Sequence, residues 1–431
     1  MTVRAPSQAL GFASLLLLGI NGIVGVGIFF VPSRLAELVP GSTGIAVYAV
    51  TALALTPVAI VYAILGGRFS EDGGPYVWAR SAFGSTVGFF VGWIMWASAL
   101  LSLSAVLLGF STYAGAELGL HSELGRKLFG VASLFVLGAI AASGLRLSAW
   151  VWNSITVLKL LPLLLLIALS LRFAAPAQAV ATRPIGLGEL WRGALLLVFA
   201  FQGFEVVSVP AGHARAGRWT VPVATVLSLA VSAVMYLFLH AACVRALPEL
   251  AHSDSPLIDA GSVYGGPRTA WLIAVGTNVS ALGIAFGMLA MTPRYLAVLG
   301  SDDGLGSWLS REDARGVPRR ALLISAGFAL LPLLAGGVSE LFVLSSVAVL
   351  TQYGVSAAAL VVLACRRQNA LRPSQLWPAP LALVAVLLVA WAARVSELLV
   401  AGGVLALGAV LLLLRRALVK PGVLAKTSER R

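Results

Sequence analysis

A chain of 431 residues that is 59% hydrophobic and 11% charged, with a mean hydropathy of +0.95, is too apolar for a water-soluble fold, where about a quarter of residues are charged. Its formal charge of +13 then marks loops at a membrane surface rather than a nucleic-acid partner. Two cysteines, Cys243 and Cys365, make no disulfide framework, and His121, His213, His240 and His252 have no metal-ligand spacing, so neither a metal nor another cofactor is expected.

In chain order, Arg4 precedes an apolar run too long for a leader and without a cleavage site, so no cleavable signal is expected. Stretches free of charge lie between Arg4 and Arg34, Glu37 and Arg68, Arg80 and Glu117, Lys127 and Arg146, Arg218 and Arg245, and Arg268 and Arg294. Others lie between Arg320 and Glu340, Glu340 and Arg366, Arg372 and Arg394, and Glu397 and Arg415. Each has room for a span of roughly 20 residues. Segments 147–171 and 193–212 add two more, each with one charge, Lys159 and Glu205.

Twelve spans are expected, with both ends on one side. If the N-terminus is inside, 20 of the Lys and Arg residues fall on inner segments and nine on outer ones. The positive-inside rule therefore puts both termini in the cytoplasm, for a multi-pass protein of the cell (inner) membrane. The longest loops, 247–267 outside and 300–320 inside, read as linkers or short surface helices. The basic tail after residue 419 reads as a solvated end near anionic lipid, and no soluble domain is expected.

Span one, GINGIVGVGIFFVPS, gathers Gly19, Gly22, Gly25 and Gly27 near its middle. Span six, LVFAFQGFEVVSVPAG, has Gly203 near its centre, Glu205 two positions on and Pro210 later. Interruptions at corresponding places of two halves point to a transporter's binding site, because unwound backbone in a bilayer is tolerated only beside a cavity or ligand. Its freed N–H groups suit a carboxylate and its freed carbonyls an ammonium. Close packing through small residues explains the same glycines equally well.

Span five contains Lys159, with twelve residues separating it from Arg146 and twelve from Arg172. That is roughly 18 Å of helix either way, too far for its stem to reach water. A lysine there should face the bundle interior, either bridged to Glu205 or as a fixed or titrating cation beside the transport site; the second reading is favoured. Glu205 has three open roles: proton carrier, cap for freed amides, or counter-ion of Lys159.

Read together, four stretches resemble the amino acid, polyamine and organocation (APC) transporter superfamily, with a flavour close to the arginine/agmatine antiporter and related bacterial exchangers. They are 22–32 (GIVGVGIFFVP), 69–93 (FSEDGGPYVWARSAFGSTVGFFVGW), 199–224 with its RWTVPVA ending, and 294–322 (RYLAVLGSDDGLGSWLSREDARGVPRRAL). Ser70 and Gly306 stand where many members have proline, and Val26 where a serine or threonine is common.

The resemblance implies an all-α integral membrane fold of 12 helices. It is a five-plus-five inverted repeat (8–172 and 190–366) with discontinuous helices 1 and 6, then helices 11 and 12 (373–418) and a tail (419–431). It implies that backbone around Ile23, Gly25, Val26 and Gly27 holds a substrate carboxylate. Carbonyls around Phe199, Gln202 and the Gly203 break would hold the amine, with the Phe199 ring as a gate. Met95, Trp96 and Leu100 are implied for the side-chain pocket. Lys159 matches a lysine of sodium-independent members, where its ammonium takes the place of a sodium ion.

The expected function is sodium-independent transport of neutral L-amino acids by proton symport or exchange through alternating access. The apolar pocket, with no acid but Glu205, argues against arginine, lysine or polyamines. An amine, ethanolamine or polyamine permease is the alternative if Glu205 faces the substrate. A membrane-embedded enzyme is disfavoured by the lack of paired carboxylates, a nucleophile motif or metal ligands, and a non-transporting sensor by the lack of a cytoplasmic domain. The expected partners are a small-molecule substrate and the lipid bilayer, and oligomeric state is open.

Overall fold

Apolar runs become helices in a bilayer because every buried backbone N–H and C=O needs a partner within its own segment. The computed structural model describes residues 11–69, 71, 73–144, 149–173, 184–209, 219–302 and 305–418. Arg4, Ser70, Arg146, Pro210, His213, Arg215, Arg218 and the tail from 419 onward lie outside the described residues. Among the described residues regular structure is helical throughout.

Span one is two helices, α1 (Phe12–Ile23) and α2 (Gly27–Leu38). Next come α3 (Thr43–Gly66), a short α4 (Pro75–Phe83) and the long α5 (Ser85–Glu117). Then follow α6 (Glu123–Ala142) and α7 (Ala149–Arg172). α8 (Leu187–Phe201) is continued by a 3-10 turn, Phe204–Ser208, and α9 (Thr220–Ala246) follows. α10 (Pro256–Asp302) is interrupted at Gly266, where φ is +73°, so a short surface helix precedes the long segment. The chain closes with α11 (Arg319–Ala335), α12 (Val338–Cys365), α13 (Pro378–Trp391) and α14 (Val395–Leu418).

Ten helical stretches are long and apolar enough to cross a membrane, with α1 and α2 counted together as one of them, Phe12–Leu38. Of the twelve expected, the other two correspond to α8 and α11, which are only 15 and 17 residues long. Outward faces carry leucines and aromatics such as Leu53, Phe135, Leu331 and Leu387, as a lipid-facing surface should.

α5 runs through the centre and packs against α10, α12, α4 and α11, while α3 packs on α9 and α13, and α1 on α9. α14 is tied to this core by Trp93, whose Nε1 donates to the Val404 carbonyl at 2.7 Å, and by Gly408, which gives the indole room. Arg192 on α8 and Glu397 on α14 form a two-pronged, mostly buried ion pair at 2.7 and 2.5 Å, a planar fork that only arginine provides. The 3-10 turn after α8 is held from below by the loop after α3, where the Gly73 N–H donates to the Val209 carbonyl at 3.1 Å.

Candidate substrate site

The two irregular segments meet. α1 ends at Ile23, Val24 and Gly25 leave helical geometry, and α2 restarts at Gly27. α8 ends at Phe201, Gln202 is extended, and Gly203 has φ +123°, a conformation that side chains rarely adopt. A Cβ on Gly203 would sit 2.2 Å from the carbonyl carbon of Gly22, and one on Gly22 would sit 2.7 Å from the Gly203 oxygen. Both readings of the glycines therefore hold: they allow the helices to break, and they let the two breaks touch backbone to backbone.

Breaking two helices inside a bundle orphans carbonyls and amides, and several of them find side-chain partners. Lys159, fully buried on α7, donates from Nζ to the Asn21 carbonyl at 2.9 Å and the Val24 carbonyl at 2.5 Å. Tyr236 on α9 places its hydroxyl 2.8 Å from the Ile23 carbonyl and 3.1 Å from that of Ala200, bridging the two breaks. The Glu205 Oε2 accepts the Gly203 N–H at 2.7 Å and the Tyr353 hydroxyl at 3.0 Å. Among the described ion pairs none joins Lys159 to Glu205, so the lysine–glutamate bridge left open above is not formed. Lysine serves carbonyls, glutamate serves an amide, and each stays on its own break.

A cavity of about 730 Å³ reaches from these breaks toward the face that carries Arg294, with Asn21, Gly22, Met95, Ser98, Ser102, Gln202, Gly203 and Glu205 in its wall. At the mouth, Arg315 donates to the Ser143 carbonyl at 3.0 Å and Arg294 to that of Gly316 at 3.2 Å. Asp313 fixes this loop by accepting from the amides of Val317 and Arg315 and from Arg319, which together hold its carboxyl below the usual range. The opposite direction is sealed. Phe199 stacks on Phe342 at 4.0 Å, Phe30 lies edge-on to Phe342 and to Tyr113, and the Tyr113 hydroxyl donates to the Phe29 carbonyl at 2.7 Å.

Of the residues singled out in the sequence, Gly22, Met95, Gln202, Gly203 and Glu205 line the cavity, and half-buried Gly25 faces Ile284 of its wall. The others sit elsewhere. The Ile23 carbonyl is taken by Tyr236, Val26 packs at Gly109, and Gly27 fits against Ala200 and Phe199 within the seal. Trp96 points to α11, with Nε1 donating to Ser325 at 2.9 Å and its ring against Trp93 and Phe328. Leu100 is buried in the packing of α5, outside the cavity wall.

Sequence reasoning missed Tyr236 and a three-way contact beneath the aromatic seal. The Gln202 amide lies 3.0 Å from Ser102 Oγ and 3.1 Å from Ser345 Oγ, and the two hydroxyls are 2.7 Å apart. This cluster ties α8 to α5 and α12. The only signal was a run of serines, 98, 102 and 104, on one apolar span. Gln202→Leu is expected to destabilise the bundle by about 1 kcal/mol, the scale of one interhelical hydrogen bond in a membrane. Thermal unfolding in detergent checks this; an unchanged melting temperature would show that the cluster bears no weight.

Residues 10–406 match the family model described as amino acid permease. The chain is 25% identical to the mouse (Mus musculus) cationic amino acid transporter 4 over 85% of its own length, and spans 61% of that protein. It is 27% identical to the Bacillus subtilis branched-chain amino acid permease BcaP, covering 70% of this chain and 69% of that one. It is also 27% identical to the Pseudomonas aeruginosa arginine/ornithine antiporter, covering 74% and 69%. Matched over nearly all of its length and built of apolar helices around two touching breaks, the chain belongs to the amino acid permease family, whose members are multi-pass membrane transporters and not enzymes.

Proposed function

We propose that this protein carries neutral L-amino acids across the cell (inner) membrane by alternating access, without sodium, as a proton symporter or an exchanger. The observation that carries the substrate class is the charge of the cavity. Among the described residues its wall holds two that are charged, Glu205 and Arg294, and Glu205 is already engaged by the Gly203 amide and Tyr353. Among the described residues of the wall no further carboxylate is left to receive a cationic side chain, which favours neutral substrates of the kind named for the branched-chain permease over those named for the cationic transporters.

In this reading the α-carboxylate and α-amine meet the backbone between Gly22 and Gly27 and between Phe199 and Gly203. Met95 and Ser98 flank the side chain, Phe199 and Phe342 form the closed outer gate, and Lys159 occupies the place of a cation. The architecture is a five-plus-five inverted repeat, 8–172 and 190–366. α8 with its 3-10 turn forms span six, α11 forms span nine, and α13 and α14 are appended to make twelve. Uptake of a labelled amino acid panel into proteoliposomes, preloaded or empty, with and without a pH gradient, tests the activity. Uptake of a neutral amino acid is expected; transport confined to arginine, ornithine or polyamines would overturn the substrate class.

Both termini are cytoplasmic in this reading. With the exposed Cys365 changed to serine, Arg311→Cys should react with a membrane-impermeant thiol reagent only from the cytoplasmic side, and His252→Cys only from outside. The reverse pattern would invert the topology.

A further inference from the structure

A second cavity, of about 490 Å³, lies on the outside of the bundle along the seam of α3 and α9. Ile60, Ala63 and Ile64 form one wall and Pro222, Val226 and Ala230 the other, positions three and four apart that put one stripe of each helix in the groove. The groove exists because position 67 is glycine: a Cβ there would sit 2.8 Å from Pro222 Cγ, so the helices touch at this end and leave a trough beside the contact.

The trough is apolar for most of its length and polar at one end, where Arg68, Gln375 and the exposed Trp219 line it. Among the described ion pairs none includes Arg68. From Trp219 to Ala230 the α9 wall runs about 16 Å at 1.5 Å per residue. One leaflet of the hydrocarbon core is about 15 Å deep, half of about 30 Å. An arginine and a tryptophan at one end of a groove one leaflet deep match a lipid with its headgroup at the interface and a chain along the stripe.

We infer that this groove is a binding site for a single anionic phospholipid, its phosphate held by Arg68 and one acyl chain lying between α3 and α9. The site is built into the machinery rather than hung on its rim. Gly66, next to the groove, packs on Ser208, whose hydroxyl donates to the Glu205 carbonyl at 2.7 Å, so a seated lipid backs the inner half of the span-six break. Placement in the cytoplasmic leaflet rests on the orientation proposed above; binding itself does not.

Native mass spectrometry of the purified full chain with equal amounts of phosphatidylglycerol and phosphatidylcholine of the same acyl chains tests it. The wild type is expected to retain phosphatidylglycerol over phosphatidylcholine by roughly fivefold, the scale of one basic side chain at an anionic interface. Arg68→Gln should bring that ratio close to one, Arg311→Gln should leave it in place, and Ala230→Trp, which fills the deep end of the groove, should lower retention of both lipids. Equal retention by the wild type, an unchanged preference in Arg68→Gln, or displacement of the lipid by inorganic phosphate would each overturn the site. The readout needs no transport, so it stands or falls apart from the proposed activity.

Discussion

Replacing Gly203 with alanine is expected to abolish substrate binding and to reduce transport by about 100-fold or more, the scale on which displacements near 1 Å act at a reacting or binding centre. The added methyl would sit 2.2 Å from the Gly22 carbonyl carbon and 2.6 Å from the Ile23 nitrogen, and φ at +123° is strained for any residue with a Cβ. Neither neighbour is a flexible side chain that could step aside; both are backbone of the other break. The matched control is Gly25→Ala, whose methyl would meet the tip of Ile284 at 3.5 Å and the Ile23 carbonyl oxygen at 3.8 Å, both ordinary contacts. Initial uptake rates and equilibrium binding, with gel filtration to confirm a monodisperse protein, should separate the two. Equal effects of the two alanines would remove the backbone contact as the organising feature of the site.

Lys159→Ala is expected to separate function from folding. A buried ammonium in a membrane costs at least about 2.5–3.5 kcal/mol, and deleting it relieves that cost. Deletion also strands the Asn21 and Val24 carbonyls, at about 1–3 kcal/mol each. These contributions oppose each other and are similar in size, so the melting temperature should move by only a few degrees, roughly as for a change of 1–2 kcal/mol. Transport should nonetheless fall by about tenfold or more, a change of about 1.4 kcal/mol in the rate-limiting barrier, because the α1 break loses the cation that holds its two carbonyls in one geometry. Normal uptake by the variant would reduce Lys159 to a packing residue.

The helices and the places where they break were legible because charges are so sparse that their gaps outline the spans, and because Gly25 and Gly203 interrupt otherwise apolar helices. The inward position of Lys159 was legible from its distance to either end of the span. Partner choice was not. Whether Glu205 would cap, titrate or pair depends on Tyr353, 148 positions away, and on a glycine amide freed only when the helix unwinds.

Facing was equally hidden. The moment of an all-apolar helix does not say which side meets the cavity, so Trp96 reads as a pocket residue yet bonds to Ser325, while Ser102 on the same helix reaches Gln202. Tyr236 was invisible for the same reason: a tyrosine in an apolar span has no local signature, and its role arises only where two backbones from distant parts of the chain converge on one hydroxyl.

The most direct test is equilibrium binding of the transported amino acid to the purified protein in sodium-free buffer, comparing wild type, Gly203→Ala and Gly25→Ala. Saturable binding to the wild type and to Gly25→Ala without sodium, and its loss in a monodisperse Gly203→Ala, is the expected result. Binding that requires sodium, or that survives in Gly203→Ala with unchanged affinity, would contradict a substrate site made by two touching helix breaks with a lysine in the place of a cation.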